Sequence, residues 1–519
     1  MTASPTSLPG VLSDRVLSDP DPVLPSRHDP VVAGTVTALG GPPGRHSDLR
    51  RRGFWTPVRW IVLITLVASL FGWWQKSPCR VQAWTDEYQY TRGCYTDVFA
   101  LYFAERLNEG RTPYLEHPVE YPVVIGAVMQ VAATTVTAFD PDERPRRFYD
   151  VTWAMLTAGA VVVAITTAGL AGRRRPWDAA IFAAAPLLVL HGSTNWDLVA
   201  MGLAGLGLLA WARSRPLAAG VLLGLATATK LYPVLFLVPL FALCLRAGRL
   251  RAFAVTAVAL VVTPVVVSLP VYLTSPSFAE VGAGQQVVAA SPLDRLGTDG
   301  LGALLPTVEV VQPDGTVVRG VNASYRFFEL NTTRPADWDS LWFVLEQVRG
   351  TSLDPAGTPP QLLNRGVLLV LVAALAGVVA LILKAPRRPR LAQVLFLTVV
   401  AFLLTNKVWS PQFSLWLLPL AVLARPSWRS LLAWQAAEAL VLASRFYFFV
   451  GNSAPGKGIP QEWFLGAVLL RDAVLIAIAA LVVRDVLQPE RDVVRADGVD
   501  DPAGGVLDGA PDARVTAPG

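Results

Sequence analysis

Charged residues are scarce in this chain. Asp, Glu, Lys and Arg make up 16% of its 519 residues, whereas 53% are hydrophobic. Soluble domains carry about a quarter charged residues, so this composition argues against an ordinary soluble protein. The apolar residues also gather into runs near the roughly 20 residues that cross a bilayer. These runs extend from Val58 to Val483, and they predict an all-α polytopic membrane protein.

The chain also lacks the motifs of nucleotide and zinc chemistry. It has no Walker loop, no GxGxxG that opens a helix, and no cluster of His and Cys at zinc spacing. A nucleotide-driven or zinc-dependent mechanism is therefore disfavoured. We expect no metal ion and no cofactor.

Cysteine occurs three times. Cys244 lies within an apolar run, where a small buried residue is expected. Cys79 and Cys94 both fall in the first loop between apolar runs. If this loop lies outside the cell, a disulfide there would close a loop of about 15 residues and contribute about 3 kcal/mol. Two separate thiols are an equal alternative.

The net charge of +5 does not indicate nucleic acid as a partner, because the basic residues form short clusters between apolar runs. This arrangement is the positive-inside pattern of membrane proteins. The clusters are Arg50 to Arg52, Arg173 to Arg175, Arg246 to Arg251, Lys384 to Arg390, Arg425 to Arg429, and Arg484.

Three regions follow from these patterns. Residues 1–54 and 486–519 are rich in small and polar residues, which predicts disordered cytoplasmic tails. Residues 55–485 form the transmembrane domain, with a first outer loop at 75–120 and a large outer loop at 274–364. We expect a multi-pass protein of the bacterial plasma membrane.

The number of apolar segments between residues 121 and 190 does not agree with this topology. Placing both the first outer loop and "HGSTNWD" (His191 to Asp197) outside requires an even number of crossings, but three apolar segments intervene. These are Tyr121 to Phe139, Tyr149 to Ala171 and Trp177 to Leu190. We expect the first not to cross, because prolines and charges flank it.

The large outer loop has structure of its own. "TVEVVQPDGTVVRG" (Thr307 to Gly320) places Pro-Asp-Gly between two β-branched runs, which predicts a β-hairpin. "ADWDSLWFVLEQV" (Ala336 to Val348) predicts an amphipathic helix that carries Trp338 and Trp342.

The first outer loop carries an acid on a predicted helix. Aromatic residues recur at helical spacing from Tyr95 to Phe103, and Asp97 lies on the opposite face. Such a helix lies along the membrane surface and would hold Asp97 toward the outer space. Alternatively, Asp97 sits in a first turn and complements the helix dipole.

Further polar residues lie in breaks between apolar runs on the same predicted outer face. Several charged groups on one face favour one shared polar site over unrelated polar positions. Each lysine could instead be a snorkelling anchor. An outer acid can act as general base on a hydroxyl, and nearby cations can hold a lipid-anchored phosphate. The pattern thus indicates group transfer from a lipid-phosphate donor. These further residues are His191, Asn195, Asp197, Lys230, Asn406, Lys407 and Arg445.

Three stretches carry a resemblance to a known family. They are "YTDVFALYFAERLNEGRTPY" with "VEYPV", "STNWDLVAMGLAGLGLLAWARSRPLAAGVLLGLATATKLYPVLFLVPL", and "NKVWSPQFSLWLLPLAVLARP". The chain resembles the actinobacterial glycosyltransferase family 87 of the glycosyltransferase C superfamily, over most of residues 55–485. The resemblance implies a multi-helix membrane enzyme that transfers a sugar, most often mannose, from a polyprenyl phosphate with inversion.

The resemblance also implies roles for the polar residues. Asp97 would be the base that deprotonates the acceptor, a glycolipid or glycan hydroxyl. The large-loop tryptophans would stack on sugar faces. Lys230, Lys407 and Arg445 would hold the donor phosphate. The substrate pocket would be lined by Tyr114, His117, Glu120, His191, Asn195, Asp197, Asn406 and Gln412.

A transporter or flippase of lipid-linked sugars is the rival interpretation. Transporters often show internal repeats with Gly- or Pro-broken helices in matching positions, and the sequence shows no such repeat. A membrane scaffold is weaker still, since a cluster of outer-face charges would have no purpose there.

Overall fold

The fold is helical apart from one small sheet, as the composition predicts. The computed structural model describes residues 29–40, 54–82, 84, 88–281, 285–311, 315–355, 358–454, 456–498 and 500–513. Among these residues, five helices are long and apolar enough to cross a membrane. They are α2 (Pro57–Gln75), α7 (Arg144–Leu170), α13 (Leu250–Thr274), α17 (Gln361–Lys384) and α21 (Gln461–Leu487).

Shorter helices fill the bundle between these spans. Those of ten residues or more are α1 (Pro30–Gly40), α6 (Val123–Thr135), α10 (Asp197–Ala212), α11 (Pro216–Thr229), α12 (Leu237–Arg246), α18 (Leu391–Thr405), α19 (Ser414–Ala424) and α20 (Trp428–Ser453). The remaining short helices are α3 (Ser77–Val81), α4 (Tyr88–Thr91), α5 (Asp97–Ala104), α8 (Ala180–Ala183), α9 (Pro186–His191), α14 (Pro292–Asp299), α15 (Arg326–Thr333) and α16 (Leu341–Arg349).

Glycines allow the central helices to pack closely. A Cβ on Gly159 of α7 would lie 2.8 Å from the carbonyl oxygen of Leu198 in α10. A Cβ on Gly220 of α11 would lie 2.5 Å from the carbonyl oxygen of Thr256 in α13. The absence of side chains at these crossings lets the helices that carry the polar breaks lie side by side.

The large loop folds into a four-stranded antiparallel sheet in the order β2-β1-β4-β3. Its strands are β1 (Ser277–Val281), β2 (Gln285–Ala289), β3 (Thr307–Val311) and β4 (Val317–Asn322). The predicted hairpin is confirmed as β3 and β4, with Val308 opposite Gly320. The sequence reading missed β1 and β2, because nothing local shows that Phe278 will pair with Val321.

The helix predicted over Ala336 to Val348 begins later, at Leu341. The Ser340 hydroxyl accepts a hydrogen bond from the Phe343 N–H at 3.1 Å and caps the helix start. Trp338 therefore lies outside the helix. Its ring packs on Phe343, with centroids 5.0 Å apart.

The bundle has two distinct ends, which α7 connects. Near its start, the Tyr149 hydroxyl lies 2.9 Å from the Ser193 hydroxyl. Just after its last turn, Arg175 donates to the Val493 carbonyl at 3.4 Å. We call the first the cavity end, because a large cavity opens there, and the second the tail end, because residues 485–498 and 500–513 lie there.

Helix α6 begins and ends at the cavity end. Just before it, the Tyr121 hydroxyl accepts a hydrogen bond from Asn195 at 2.6 Å. Just after it, the Phe139 carbonyl accepts one from Arg144 at 2.9 Å, at the start of α7. Both ends of α6 are thus on one side, as the prediction of a non-crossing first segment requires.

The C-terminal segment differs from the predicted disordered tail, because residues 489–498 and 500–513 fold against the tail end. Three short 3₁₀ helices lie there, Pro489–Arg491, Arg495–Asp497 and Gly505–Leu507. Arg390 pairs with Asp492 at 2.7 Å, and both side chains are 2% exposed. Arg388 donates to the Pro511 carbonyl at 2.9 Å. The basic loops supply the ion-pair and hydrogen-bond partners that hold this segment, and the composition of the segment alone does not reveal them.

The N-terminal segment also differs in part. Residues 30–40 form helix α1 instead of disordered chain, and the Asp29 carboxylate accepts a hydrogen bond from the Trp428 N–H at 2.9 Å. This contact places α1 at the tail end. Residues 1–28 and 41–53 lie outside the described residues, so the prediction for them stays a prediction.

The two loop cysteines form a disulfide, so the first of the two alternatives holds. Cys79 and Cys94 are bonded across 15 residues, at the cavity end. The bond closes the short segment between α2 and α5. Cys244 is a buried free thiol in α12, as expected.

The docked C-terminal segment can be tested through Asp492. Replacement Asp492→Ala leaves the Arg390 guanidinium buried without its carboxylate, which costs about 3 kcal/mol or more. We expect a clearly lower unfolding temperature of the detergent-solubilised protein. The control is Arg387→Gln, which breaks a pair with Asp500 in which Arg387 is half exposed and which is worth about 0–1 kcal/mol. Equal unfolding temperatures for the two variants would contradict a docked segment.

Candidate functional site

One large cavity of about 670 Å³ lies among the described residues at the cavity end. Its walls are formed by the end of α2, α5, α9, the break after α11, α15, α17, the segment before α19, and α20. Eight of the predicted site residues line it: Asp97, Glu120, His191, Lys230, Asn406, Lys407, Gln412 and Arg445.

Asp97 is held at the cavity wall by its local sequence. Thr96 caps α5 by accepting a hydrogen bond from the Val98 N–H, and its hydroxyl donates to the Ser193 carbonyl at 2.8 Å. The backbone N–H of Asp97 donates to the Thr194 carbonyl at 2.9 Å. Asp97 thus sits in the first turn of α5, where it also complements the helix dipole. The helix-dipole interpretation of Asp97 therefore holds, and the carboxylate also lies at the cavity wall.

The Asp97 carboxylate is connected to a cation through an amide. Its Oδ2 accepts hydrogen bonds from Asn195 Nδ2 at 2.7 Å and from Gln412 Nε2 at 3.4 Å. Asn195 Oδ1 in turn accepts one from Lys230 Nζ at 3.1 Å. Asn195 is 1% exposed, so it orients the carboxylate from behind instead of lining the cavity.

The Lys230 ammonium forms an ion pair with a buried carboxylate behind the cavity wall. Its Nζ lies 3.6 Å from Asp197 Oδ1 and 4.6 Å from the centre of the Tyr121 ring. Asp197 is fully buried and also accepts a hydrogen bond from the Trp416 indole at 2.7 Å. Asp197 therefore neutralises Lys230 behind the cavity wall and does not itself line the cavity, which corrects its predicted place in the pocket.

Lys407 is bound to neutral oxygens. Its Nζ donates to the Arg334 carbonyl and to Asn364 Oδ1, both at 2.6 Å. Burial, together with the charge of Arg334, lowers the pKa of Lys407 to about 8. Its backbone carbonyl accepts a hydrogen bond from the Asp337 N–H at 2.8 Å. The large loop and the break after α18 are thereby held together at the cavity.

Arg445 lines the same cavity and is paired with a carboxylate. One of its nitrogens, Nη1, donates to Asp339 Oδ2 at 2.8 Å. The guanidinium also lies 5.2 Å from the centre of the Phe449 ring. Asp339 is fully buried, so this pair anchors the large loop to α20.

Tyr114 and His117 do not line the cavity, which corrects their prediction as pocket residues. The Tyr114 hydroxyl donates to the Tyr121 carbonyl at 2.9 Å, and its ring occupies the space above Gly126, where a Cβ would lie 2.3 Å away. His117 Nε2 lies 3.7 Å from Glu105 Oε2. Both residues stabilise the loop before α6.

The contact between Glu105 and His117 is uncharged near neutral pH. Burial raises the pKa of Glu105 to about 8 and lowers the pKa of His117 below its usual value. Glu105 Oε1 accepts a hydrogen bond from the Glu120 N–H at 3.2 Å. Glu120 then reaches the cavity wall and pairs with Arg334 at 2.6 Å. The buried pair of Glu105 and His117 therefore supports Glu120, which joins the first loop to the large loop.

The large-loop tryptophans also differ from their predicted role as sugar-stacking rings. Trp338 packs against Phe448 and Phe449, and Trp342 donates to the Thr405 carbonyl at 2.8 Å. Neither ring lines the cavity. Both hold the large loop onto the bundle.

The sequence reading missed Lys76, Tyr95 and Tyr121, all of which line the cavity. Lys76 is 2% exposed, and its Nζ donates to the Tyr95 carbonyl at 2.8 Å. Burial lowers the pKa of Lys76 to about 7, and the charge of Asp97 partly opposes this shift. A lysine that ends an apolar run has the pattern of a snorkelling anchor, which is why the sequence did not single it out.

Residues 145–279 match the profile of glycosyltransferase family 87. The protein is therefore an enzyme of the glycosyltransferase class. The matched segment runs from α7 to the start of β1, and it contains His191, Asn195 and Lys230 but neither Asp97 nor Lys407. No curated protein matches the chain.

Two solved structures are similar to the chain at low identity. The first is ArnT from Cupriavidus metallidurans bound to undecaprenyl phosphate, with 16% identity and a TM-score of 0.41, over 87% of this chain and 76% of that chain. The second is the Archaeoglobus fulgidus oligosaccharyltransferase in the apo form, with 12% identity and a TM-score of 0.36, over 82% of this chain and 56% of that chain. At these TM-scores the likenesses carry no argument about substrate or residues.

The buried state of Glu105 predicts a pH dependence of stability. The pKa of Glu105 is 4.5 in the unfolded chain and about 8 in the fold, so between these values only the unfolded state ionises. Stability is full below pH 4.5 and falls as the pH rises toward 8, by up to about 1.4 kcal/mol per pH unit. We expect Glu105→Gln to flatten this decline in unfolding experiments at several pH values.

The control for this experiment is Glu109→Gln, because Glu109 is 48% exposed in the same loop. That variant should keep the decline of the unmodified protein. An unchanged pH profile in Glu105→Gln would show that Glu105 ionises normally in the fold.

Proposed function

We propose that this protein is a membrane glycosyltransferase that moves a sugar from a polyprenyl-phosphate donor to a hydroxyl of a glycolipid or glycan. The observation that carries the proposal is the placement of one hydrogen-bonded carboxylate, Asp97, in the same cavity as several cations. The cavity volume of about 670 Å³ falls within the range of small-molecule sites. The family match supports sugar transfer as the chemistry.

Asp97 serves as the general base in this proposal. Asn195 and Gln412 fix Oδ2, so the carboxylate has a defined orientation when the acceptor hydroxyl approaches. It removes the hydroxyl proton as the oxygen attacks the anomeric carbon. The bond from that carbon to the phosphate oxygen breaks on the opposite face, which inverts the anomeric centre.

The cations of the cavity stabilise the leaving phosphate in this proposal. Negative charge develops on the phosphate oxygen as the sugar leaves, and fixed positive groups in a water-poor cavity stabilise it most. Lys230, Lys407 and Arg445 are the predicted cations, and all three line the cavity. The resemblance of the sequence favours mannose as the sugar.

The orientation in the membrane follows from charge. The basic clusters that include Arg246, Arg388 and Arg425 contact the C-terminal part of the chain at the tail end. By the positive-inside rule the tail end faces the cytoplasm. The cavity then opens on the outer face of the plasma membrane, where the disulfide between Cys79 and Cys94 is chemically stable.

The general base can be tested by Asp97→Asn. The amide keeps the shape of the side chain but cannot take the proton, so we expect kcat to fall by about 100- to 10,000-fold. KM for the donor should change little, because the cations remain. The measurement is transfer of radiolabelled sugar from polyprenyl-phosphate mannose in membranes that contain the protein.

The matched control is Asp140→Asn, since Asp140 is an exposed acid in the loop after α6. This variant should transfer at the rate of the unmodified protein. Transfer by Asp97→Asn at a similar rate would remove Asp97 as the base.

A further inference from the structure

Three nitrogen-bearing side chains line adjoining parts of the cavity wall, at what we call its corner. Lys76 donates to the Tyr95 carbonyl, and the Tyr95 ring lies 6.1 Å from the ring of Phe446, the residue after Arg445. Lys76 follows α2, His191 ends α9, and Arg445 lies in α20; all three line the cavity. Lys76 is 2% exposed and His191 is 1% exposed. The charges of Lys76 and Arg445 both act on the His191 imidazole, so the three groups lie within electrostatic range of one another.

His191, which lines this corner, carries a buried hydrogen-bonding atom without a partner. Its Nε2 is buried and has no hydrogen-bond partner among the described residues. A buried polar atom without a partner costs about 1–3 kcal/mol, and such atoms in native proteins usually bind a group that the protein alone does not supply. As an N–H, Nε2 can donate to an anionic oxygen.

Lys76 differs from the other lysines of the cavity in its partners. Within the described part of the chain, its ammonium has one hydrogen-bond acceptor, the Tyr95 carbonyl, and no carboxylate within ion-pair distance. Lys230, by contrast, is neutralised by Asp197 at 3.6 Å. Lys407 already has two acceptors at 2.6 Å. Two of the three N–H groups of Lys76 therefore remain for a ligand.

The position of Lys76 is fixed by the disulfide-closed segment. Gln75 donates to the Gly93 carbonyl at 2.6 Å, Lys76 donates to the Tyr95 carbonyl, and the disulfide follows three residues later, at Cys79. The same segment leads directly into Asp97. The cation and the carboxylate therefore flank the two bonded cysteines, and this bond limits how far they can move apart, as a site with a base and an anion subsite requires.

We propose that Lys76 and His191 complete, with the cations named above, the subsite for the phosphate of the lipid-linked donor, and that Lys76 is its main cation. This assignment rests on the function proposed above, and it adds a residue that neither the sequence nor the family profile singles out. Apolar side chains of the same cavity suit a lipid chain beside the phosphate: Leu231, Val234, Leu235, Val367 and Phe402.

The test is direct binding of undecaprenyl phosphate to the full-length protein in nanodiscs, which needs no catalysis. We expect Lys76→Met to bind the lipid at least about 10-fold more weakly, as loss of a charged hydrogen bond of about 1.5–3 kcal/mol implies. The matched control is Lys457→Met, because Lys457 is an exposed lysine between α20 and α21. That variant should bind like the unmodified protein.

A second variant guards against misfolding. His191→Phe removes an Nε2 that makes no hydrogen bond within the described residues, so its unfolding temperature should not fall, while its affinity for undecaprenyl phosphate should fall several-fold. A lower unfolding temperature with unchanged affinity would show that His191 has a structural role and would overturn its place in the subsite.

The outcomes separate this inference from the proposed function. Binding by folded Lys76→Met equal to that of the unmodified protein overturns the subsite and leaves the role of Asp97 intact. Absence of binding by the unmodified protein overturns both. Tight binding by Asp97→Asn, with loss in Lys76→Met, supports the subsite whatever the rate of transfer. Displacement of the lipid by an equal concentration of inorganic phosphate would assign the corner to soluble phosphate and overturn the lipid-linked donor.

Discussion

The amide of Asn195 is the interaction on which the site depends. Its nitrogen donates to Asp97 and to the Tyr121 hydroxyl, and its oxygen accepts from Lys230 and from the Trp196 N–H. One buried side chain thus joins the first loop, the start of α6, the start of α10 and the end of α11. Because a carboxylate can only accept and an ammonium can only donate, an amide is suited to bridge them without a direct ion pair.

This bridge keeps Asp97 and Lys230 apart as well as connected. A direct contact would neutralise both groups and close the corner of the cavity that Asp97 faces. Lys230 finds its carboxylate behind the wall, in Asp197, while Asp97 is bonded by the neutral amides of Asn195 and Gln412. The low dielectric of a buried network makes such an arrangement rigid when its partners are satisfied.

Charge also organises the two ends of the bundle differently. At the tail end, the arginines pair with acids and carbonyls of residues 485–498 and 500–513, as in the buried pair of Arg390 and Asp492, and single buried atoms without a partner, such as Arg495 Nη1, also occur there. At the cavity end, Lys76 has no carboxylate within ion-pair distance among the described residues. Unpaired polar groups at membrane depth are costly and mark functional sites. The difference in ion pairing supports the proposed site at the cavity end.

Hydrophobic run length and turn chemistry determined much of the architecture from the sequence alone. The long apolar spans, the hairpin around Pro-Asp-Gly, and the helix breaks at Asp97, Lys230 and Lys407 all follow from local pattern, because backbone hydrogen bonding in lipid forces helices and leaves polar residues to the breaks. Which of these polar side chains lie next to one another does not follow from local pattern. Whether Lys76 or His117 faces the cavity depends on helix packing between residues far apart in the chain, and so does the partner that each arginine of the tail end finds. The sequence thus determined which side chains could do chemistry, and tertiary packing decided which of them share one cavity.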